Sequence, residues 1–301
     1  MTISIRPIDP QRQNFAGEVS GITIAQSLST GGISASDAQA IEQGMDHYAV
    51  LVFHDQRIDD AQQYAFSQHF GPMETATGDI AQADQRRLSM DINDISNLDK
   101  DGNVLARDDR RRLFNLGNQL WHSDSSFKAT PAKYSLLSAR VIPGADGNTE
   151  FADMRAAWDA LDAETQAECK PLICEHSQIF SRSILGFGDF TAEDRIKYAQ
   201  VQQRLVRRHA GSGRLSLYLA SHAGAILGWP VPEARAFLRD LSEHATQRQF
   251  VHAHVWQQFD LVMWDNRCTM HRARRYDYTQ VRDMHRTTVA DSAPTLLQAA
   301  A

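Results

Sequence analysis

The chain has 301 residues, 42% of them hydrophobic, and a formal net charge of -6. A chain of this length buries roughly 75% of its unfolded surface, so one domain with one large core is expected over residues 1–301, and the acid excess argues against a nucleic-acid partner. No apolar run approaches the ~20 residues needed to cross a bilayer, and Met1-Thr2-Ile3-Ser4-Ile5-Arg6 lacks a charged head followed by an apolar signal core, so a cytoplasmic protein with no membrane contact is expected. Cys169, Cys174 and Cys268 are odd in number without C-x-x-C spacing, which suggests neither a disulfide framework nor a thiolate zinc site.

In chain order, Ser36 can cap a helix in which Ala38, Ile41, Met45 and Tyr48 recur at helical spacing. A short apolar strand at 50–53 follows, then a helix from about 59 to 70, stopped by Gly71 and Pro72. The pattern then changes to strands at 94–98, 133–141, 173–178, 216–219, 249–256, 261–265 and 284–289, separated by turn residues as in a sandwich or jelly roll. One further helix carries Ala234, Phe237, Leu238, Leu241 and Ala245 on its apolar face. The class is therefore mainly β with flanking helices (α+β). Two irregular stretches, 74–91 and 179–205, are lid candidates, because long loops in a compact domain often cover a binding site.

The motif that carries chemistry is His122-Ser123-Asp124, with a lone His271 far downstream. Residues two apart on a strand point the same way, so His122 and Asp124 can grip one ion if they lie on a strand. Two imidazoles and one carboxylate on one face of a metal leave the opposite face open, the ligand set of non-haem Fe(II) oxygenases. With 12 histidines in the chain, the pair alone also fits a strand with an exposed polar face. Between His271 and Arg286 the chain carries Arg272, Arg274, Arg275, Arg282 and Arg286 against only Asp277 and Asp283. Such a local basic cluster in an acidic protein suits a small-molecule anionic substrate, with ordinary surface salt bridges accounting for some of Arg272, Arg274 and Arg275.

Three runs set these residues in a wider context: Gly117-Asn118-Gln119-Leu120-Trp121-His122-Ser123-Asp124-Ser125-Ser126-Phe127, then Asn148-Thr149-Glu150-Phe151-Ala152-Asp153-Met154-Arg155, and Asp260-Leu261-Val262-Met263-Trp264-Asp265-Asn266-Arg267-Cys268 through His271. Together they resemble the Fe(II)/2-oxoglutarate-dependent dioxygenases of the taurine dioxygenase type, and within them the 2,4-dichlorophenoxyacetate (aryloxyalkanoate) dioxygenases. The resemblance runs from about residue 50 to 289, with the motifs in the family's order. It implies a double-stranded β-helix core (jelly roll, cupin-like), with His122, Asp124 and His271 as the catalytic metal ligands. The implied cofactors are Fe(II), 2-oxoglutarate as cosubstrate, and O2.

Arg282 stands eleven residues after His271, where the family places the arginine that binds the far carboxylate of 2-oxoglutarate. Thr149, in Gly147-Asn148-Thr149, matches the threonine bonded to the same carboxylate, with Asn148 replacing the family's acid. Arg286 is assigned the acidic group of the primary substrate, and it shares a side with Arg282 if both lie on one strand. Asn118, four before His122, matches a family residue that lines the substrate pocket, with an Asn in a turn before the strand as nearly as good an account. The implied reaction converts 2-oxoglutarate to succinate and CO2 while hydroxylating a substrate carbon. An aryloxyacetate would then yield a hemiacetal that collapses to a phenol and glyoxylate.

After Phe70-Gly71-Pro72 the chain departs from the Gly-rich, lysine-bearing segment of aryloxyacetate degraders. The open readings are thus an aryloxyalkanoate, another carboxylate, or a sulfonate such as taurine, with a non-catalytic metal-binding β-barrel protein as a reading from another class. A homo-oligomer is expected. His252 and His254 form a same-face pair with no acid nearby in sequence, and His176, His209 and His222 read as isolated. Trp121 and Trp264 read as packing supports, and Gly211-Ser212-Gly213 as a hairpin turn between 206–209 and 216–219.

Overall fold

The computed structural model describes residues 3–76, 80 and 83–298. Seven strands form one sheet in the spatial order Ser4–Pro7, Gly17–Ser20, Val50–Phe53, Leu261–Asp265, Ala132–Val141, Asp283–Ala290 and Asn93–Asp94. Opposite it, Thr149–Asp153 is flanked by Val251–His254 and Thr269–Ala273 in a sheet of three.

Alternation along the strands explains why the sheets face each other. Val50, Val52, Leu137, Ala139, Val262 and Trp264 point between the sheets and share a cluster with Phe151 of the smaller one. Their neighbours Leu51, Phe53, Leu136, Leu261 and Met263 point the other way, onto Ile41 and Met45 of helix Ala35–Tyr48 and Phe66 of helix Asp60–Gln68. Burial on both faces is why the strand Val50–Phe53 reads as an unbroken apolar run. Ala152 and Met270 face away from the large sheet and pack with Leu238 and Leu241 of helix Val231–Ala245. Phe66 belongs to this outer cluster and not to the one around Phe151, so Phe66→Ala, which removes a ring in edge contact with Phe53 and Phe70, should cost about 3–5 kcal/mol in denaturant unfolding.

Several expectations are corrected. The cap of the first long helix is Ser34, whose Oγ accepts from the Asp37 N–H at 3.1 Å, so the helix begins earlier than Ser36. The expected strand 94–98 is regular only over Asn93–Asp94. Beyond it, Ile95 and Asn97 still donate to the Met284 and Arg282 carbonyls, and the other side of the segment is met only by a local turn, with the Leu105 N–H donating to the Asn97 carbonyl and a single bridge between Leu98 and Val104 among the described residues. The stretch 179–205 is ordered as helices Gln178–Ile184 and Ala192–Lys197 and strand Val201–Arg204, with Phe187 and Tyr198 packed on Phe114. The other lid candidate, 74–91, lies partly outside the described residues. The expected hairpin is present, with Val206–Arg208 paired to Leu215–Leu217. No helix among the described residues is long and apolar enough to cross a membrane.

Candidate active site

His271 lies on strand Thr269–Ala273, and the His122 main chain pairs with it in a single bridge: His122 N–H donates to the His271 carbonyl at 3.0 Å and the reverse bond is 2.8 Å. The chain then turns instead of continuing as the strand expected for His122 and Asp124, with Ser125 in the left-handed region at φ 54°. Ser123 holds the turn by donating from Oγ to the Thr269 carbonyl at 2.8 Å. The carboxylate of Asp124 still arrives beside both imidazoles, with 3.8 Å from its oxygens to His122 Nε2 and to His271 Nε2. One ligand atom from each of His122, Asp124 and His271 lies within 4.8 Å of the others.

The surroundings prepare these groups as metal ligands. His122 Nδ1–H donates to the Leu120 carbonyl at 2.7 Å, which leaves the Nε2 lone pair facing Asp124. The His271 ring is held by packing, 4.7 Å from the Trp264 ring centroid and stacked at 6.1 Å on Phe151. Burial pushes both imidazoles below their ordinary pKa, so they stay neutral and able to coordinate. Burial alone would raise the Asp124 carboxyl, but the Arg286 guanidinium, with the hydrogen bond from Ser135, outweighs it and holds the group at about 2. Asp124 is fixed further by Ser135 Oγ at 2.7 Å and by Asn266 Oδ1, which accepts its main-chain N–H at 3.0 Å. Two neutral imidazoles and an ionised carboxylate suit a divalent iron, and the donor set fits.

Beside the ligands a narrow cavity is lined by Thr149, Arg282, Arg286, Asn118 and Leu137 as well as His122 and His271. Arg282 immediately precedes strand Asp283–Ala290, and its main-chain N–H donates to Asn97 Oδ1 at 2.8 Å. Its guanidinium is 5% exposed, reaches the Ile95 carbonyl at 3.3 Å, and pairs with no acidic side chain among the described residues. Burial lowers its pKa, the mark of a cation awaiting an anion. Thr149 Oγ1 accepts from Trp256 Nε1 at 3.0 Å, leaving its own hydrogen to donate. The cavity thus brings a buried guanidinium and a free hydroxyl hydrogen together with His122 and His271, two of the three candidate metal ligands.

The sequence profile of the family described as "Taurine catabolism dioxygenase TauD, TfdA family" matches residues 4–288. The chain belongs to the TauD/TfdA dioxygenase family. It is 44% identical over 293 residues, covering 97% of this chain and 99% of the relative, to the alpha-ketoglutarate-dependent 2,4-dichlorophenoxyacetate dioxygenase of Cupriavidus pinatubonensis. It is 35% identical over 293 residues, 94% of each chain, to the (S)-phenoxypropionate/alpha-ketoglutarate-dioxygenase of Delftia acidovorans. The crystal structure of AAD-2 in complex with Mn(II) and N-oxalylglycine superposes with a TM-score of 0.93 at 55% identity, covering 98% of this chain and all of that one.

In this TauD/TfdA member a second, wider cavity shares Asn118, His122 and Arg286 with the first and is lined also by Asp124, Arg182 and His222. Arg286 donates from Nη1 to Asp124 Oδ1 at 2.5 Å. Arg272 is drawn to Glu150 at 2.7 Å, and Arg274 lies 3.8 Å from the same carboxylate, so these two are surface pairs. His222, which reads as isolated in sequence, has its ring 6.0 Å from that of His122 and 5.0 Å from Phe127. Ser135 and Asn266 also escape sequence reasoning, and the only signal for Asn266 is its place within the motif that ends at His271. His254 has an acid after all, Asp260, with Oδ2 3.0 Å from Nε2. That pair is structural, because Asp260 also accepts from His54 and from the Gln257 N–H. A second group of possible ligands, His209, Asp265 and Cys268, is already filled by Arg267, whose Nη2 lies 2.6 Å from Asp265 and 3.1 Å from His209.

His176 supports the ligand turn, with Nδ1 3.0 Å from Ser126 Oγ, and burial pushes its pKa down to about 3. Below about 6.5 the unfolded chain takes up a proton that the folded one refuses. Stability should therefore fall as pH drops from 6.5 towards 3, by up to about 1.4 kcal/mol per pH unit from this residue. In His176→Gln that contribution vanishes, and denaturant melts at stepped pH should show a shallower acid limb than wild type.

Proposed function

We propose that this protein is a non-haem Fe(II)/2-oxoglutarate-dependent dioxygenase whose primary substrate is a small aryloxyalkanoate such as a phenoxyacetate. The observation that carries the reading is the grouping of the His122, Asp124 and His271 ligand atoms, with the two histidines lining the same slot as buried Arg282, which has no acidic partner among the described residues. In this reading the three ligands hold Fe(II), Arg282 and Thr149 hold the far carboxylate of 2-oxoglutarate, and Arg286 and Asn118 face the substrate. The bound iron supplies oxidative decarboxylation of 2-oxoglutarate to succinate and CO2, coupled to hydroxylation of the substrate by O2.

What the chain itself contributes is placement and exclusion of water. Arg282 fixes the cosubstrate's orientation through paired donors. Asp124, held by Ser135, Asn266 and Arg286, keeps its charge directed at the metal. The wider cavity seats the substrate with its ether-bearing carbon towards the ligands. Hydroxylation there gives a hemiacetal that collapses to a phenol and glyoxylate, and no protein base is required. The two facing sheets serve as the walls of a double-stranded β-helix within a single catalytic domain, a reading supported by the side chains both sheets contribute to one core. The aryloxyalkanoate is favoured over a sulfonate by relatives whose names carry phenoxy acids.

Anaerobic addition of Fe(II) and 2-oxoglutarate should produce a weak visible charge-transfer band, and admitting O2 with phenoxyacetate should release phenol and succinate together. A band with succinate formed only on taurine would move the reading to a sulfonate. Absence of any band would end it.

A further inference from the structure

Every acid that lines the wider cavity beside the ligands is already paired with a cation. Among its lining residues, Glu74 is paired with Lys128 at 2.5 Å, Asp94 with Arg87 at 2.8 Å, and Asp124 with Arg286 at 2.5 Å. The remaining lining cation is Arg182, on helix Gln178–Ile184, and it has no acidic partner among the described residues. It is 3% exposed and its Nε is buried with no hydrogen-bond partner. Its other nitrogens make only neutral contacts, Nη1 to Ser181 Oγ at 3.2 Å and Nη2 to Asn118 Oδ1 at 3.5 Å.

The guanidinium is nevertheless held in place. It lies 4.6 Å over the Phe114 ring and occupies room left by Gly117, where a Cβ would come within 2.2–2.3 Å of its Cζ, Nε and Nη1. Gln178, one turn earlier on the same helix, also lines the cavity and has a buried Oε1 without a partner. A buried, rigidly seated cation without an anion is costly unless an anion arrives. Arg286 is less available for that purpose, because one of its terminal nitrogens is occupied by Asp124.

Resting on the reading given under Proposed function, we infer that Arg182 is the residue that recognises the carboxylate of the anionic substrate, with Arg286 in a supporting position through its remaining donors. Arg182 thereby sets the preference for acids over neutral aryl ethers. Its carboxylate-directed hydrogen bonds orient the substrate chain across the cavity from helix Gln178–Ile184 towards the ligands.

The test uses iron-loaded enzyme with saturating 2-oxoglutarate and compares phenoxyacetate with neutral phenoxyethanol, reading phenol and succinate. Arg182→Gln should raise KM for phenoxyacetate about 10- to 100-fold, leave KM for 2-oxoglutarate within about twofold, and lower the acid-to-neutral ratio of kcat/KM by a similar 10- to 100-fold. Arg182→Lys should recover part of that ratio. Gly117→Ala, which keeps the charge but pushes the guanidinium from its seat, should lower the ratio in the same direction, and it stands in if Arg182→Gln fails to fold. Equal losses on acid and neutral substrates in these variants would overturn the inference in favour of a packing role, as would an unchanged KM for phenoxyacetate. Wild-type enzyme that releases no phenol from phenoxyacetate would sink the underlying reading, and the inference with it.

Discussion

His122→Ala is expected to abolish iron-dependent succinate formation while the protein stays folded. Loss of an outer partner of a metal ligand already costs about 10- to 100-fold in metal affinity, and removal of one of only three ligands should exceed that range. Inductively coupled plasma measurement of bound iron after desalting, together with the anaerobic charge-transfer band, checks this directly. Asp124→Ala should lose iron equally but behave differently as a fold. Arg286 donates to this carboxylate at 2.5 Å, and the pair is largely buried, with side-chain exposures of 15% and 5%. Removing one partner of a buried pair leaves an uncompensated charge, which typically costs about 3–5 kcal/mol. Denaturant unfolding of the iron-free proteins should rank Asp124→Ala well below His122→Ala. Equal stability would mean that Arg286 does not depend on Asp124.

Arg282→Leu should separate binding from stability in the opposite sense. On the proposed reading, without Arg282 the far carboxylate of 2-oxoglutarate would enter a buried slot with Thr149 as its remaining assigned donor. The loss of a buried partner to a charge is typically about 2–5 kcal/mol, so KM and Kd for 2-oxoglutarate should rise by about 100-fold or more. In the unliganded protein, however, Arg282 is 5% exposed without an acidic partner, and burial depresses its pKa. Leucine at this place removes a desolvated cation, and the unliganded variant should melt no lower than wild type. Calorimetric titration of 2-oxoglutarate into anaerobic Fe(II)-enzyme reads the first effect and thermal unfolding of the apoprotein the second. A variant that binds 2-oxoglutarate as wild type does would remove Arg282 from the site.

The parts of the fold legible in the sequence are those where one period runs undisturbed. Leu261–Asp265 and Ala132–Val141 alternate between two buried faces, and Val231–Ala245 carries an apolar stripe long enough to show helical spacing. The helices Met154–Asp159, Gln178–Ile184 and Ala192–Lys197 have six or seven residues each, under two turns, too short for a stripe to emerge. The convergence of His122, Asp124 and His271 was legible from residue type and order in the motif, even though the local conformation at Asp124 is a turn rather than a strand. What sequence could not supply is convergence of residues with no local mark. Ser135 and Asn266 meet Asp124 from the large sheet and the loop that follows one of its strands, and His222 enters beside His122 from just before a different sheet. Arg182 lay within a stretch that reads as irregular, and nothing in its neighbours signals that it is buried.

The reciprocal main-chain bonds between His122 and His271 give the centre a further property. His122 and strand Thr269–Ala273 are joined by amide and carbonyl groups rather than through an ion, so on the proposed reading the seat for iron exists before the ion arrives and persists after it leaves. Iron starvation would then drain occupancy without unravelling the protein, and a returning ion would find a finished socket. Activity lost to chelation should come back as fast as metal diffuses in, with no refolding delay.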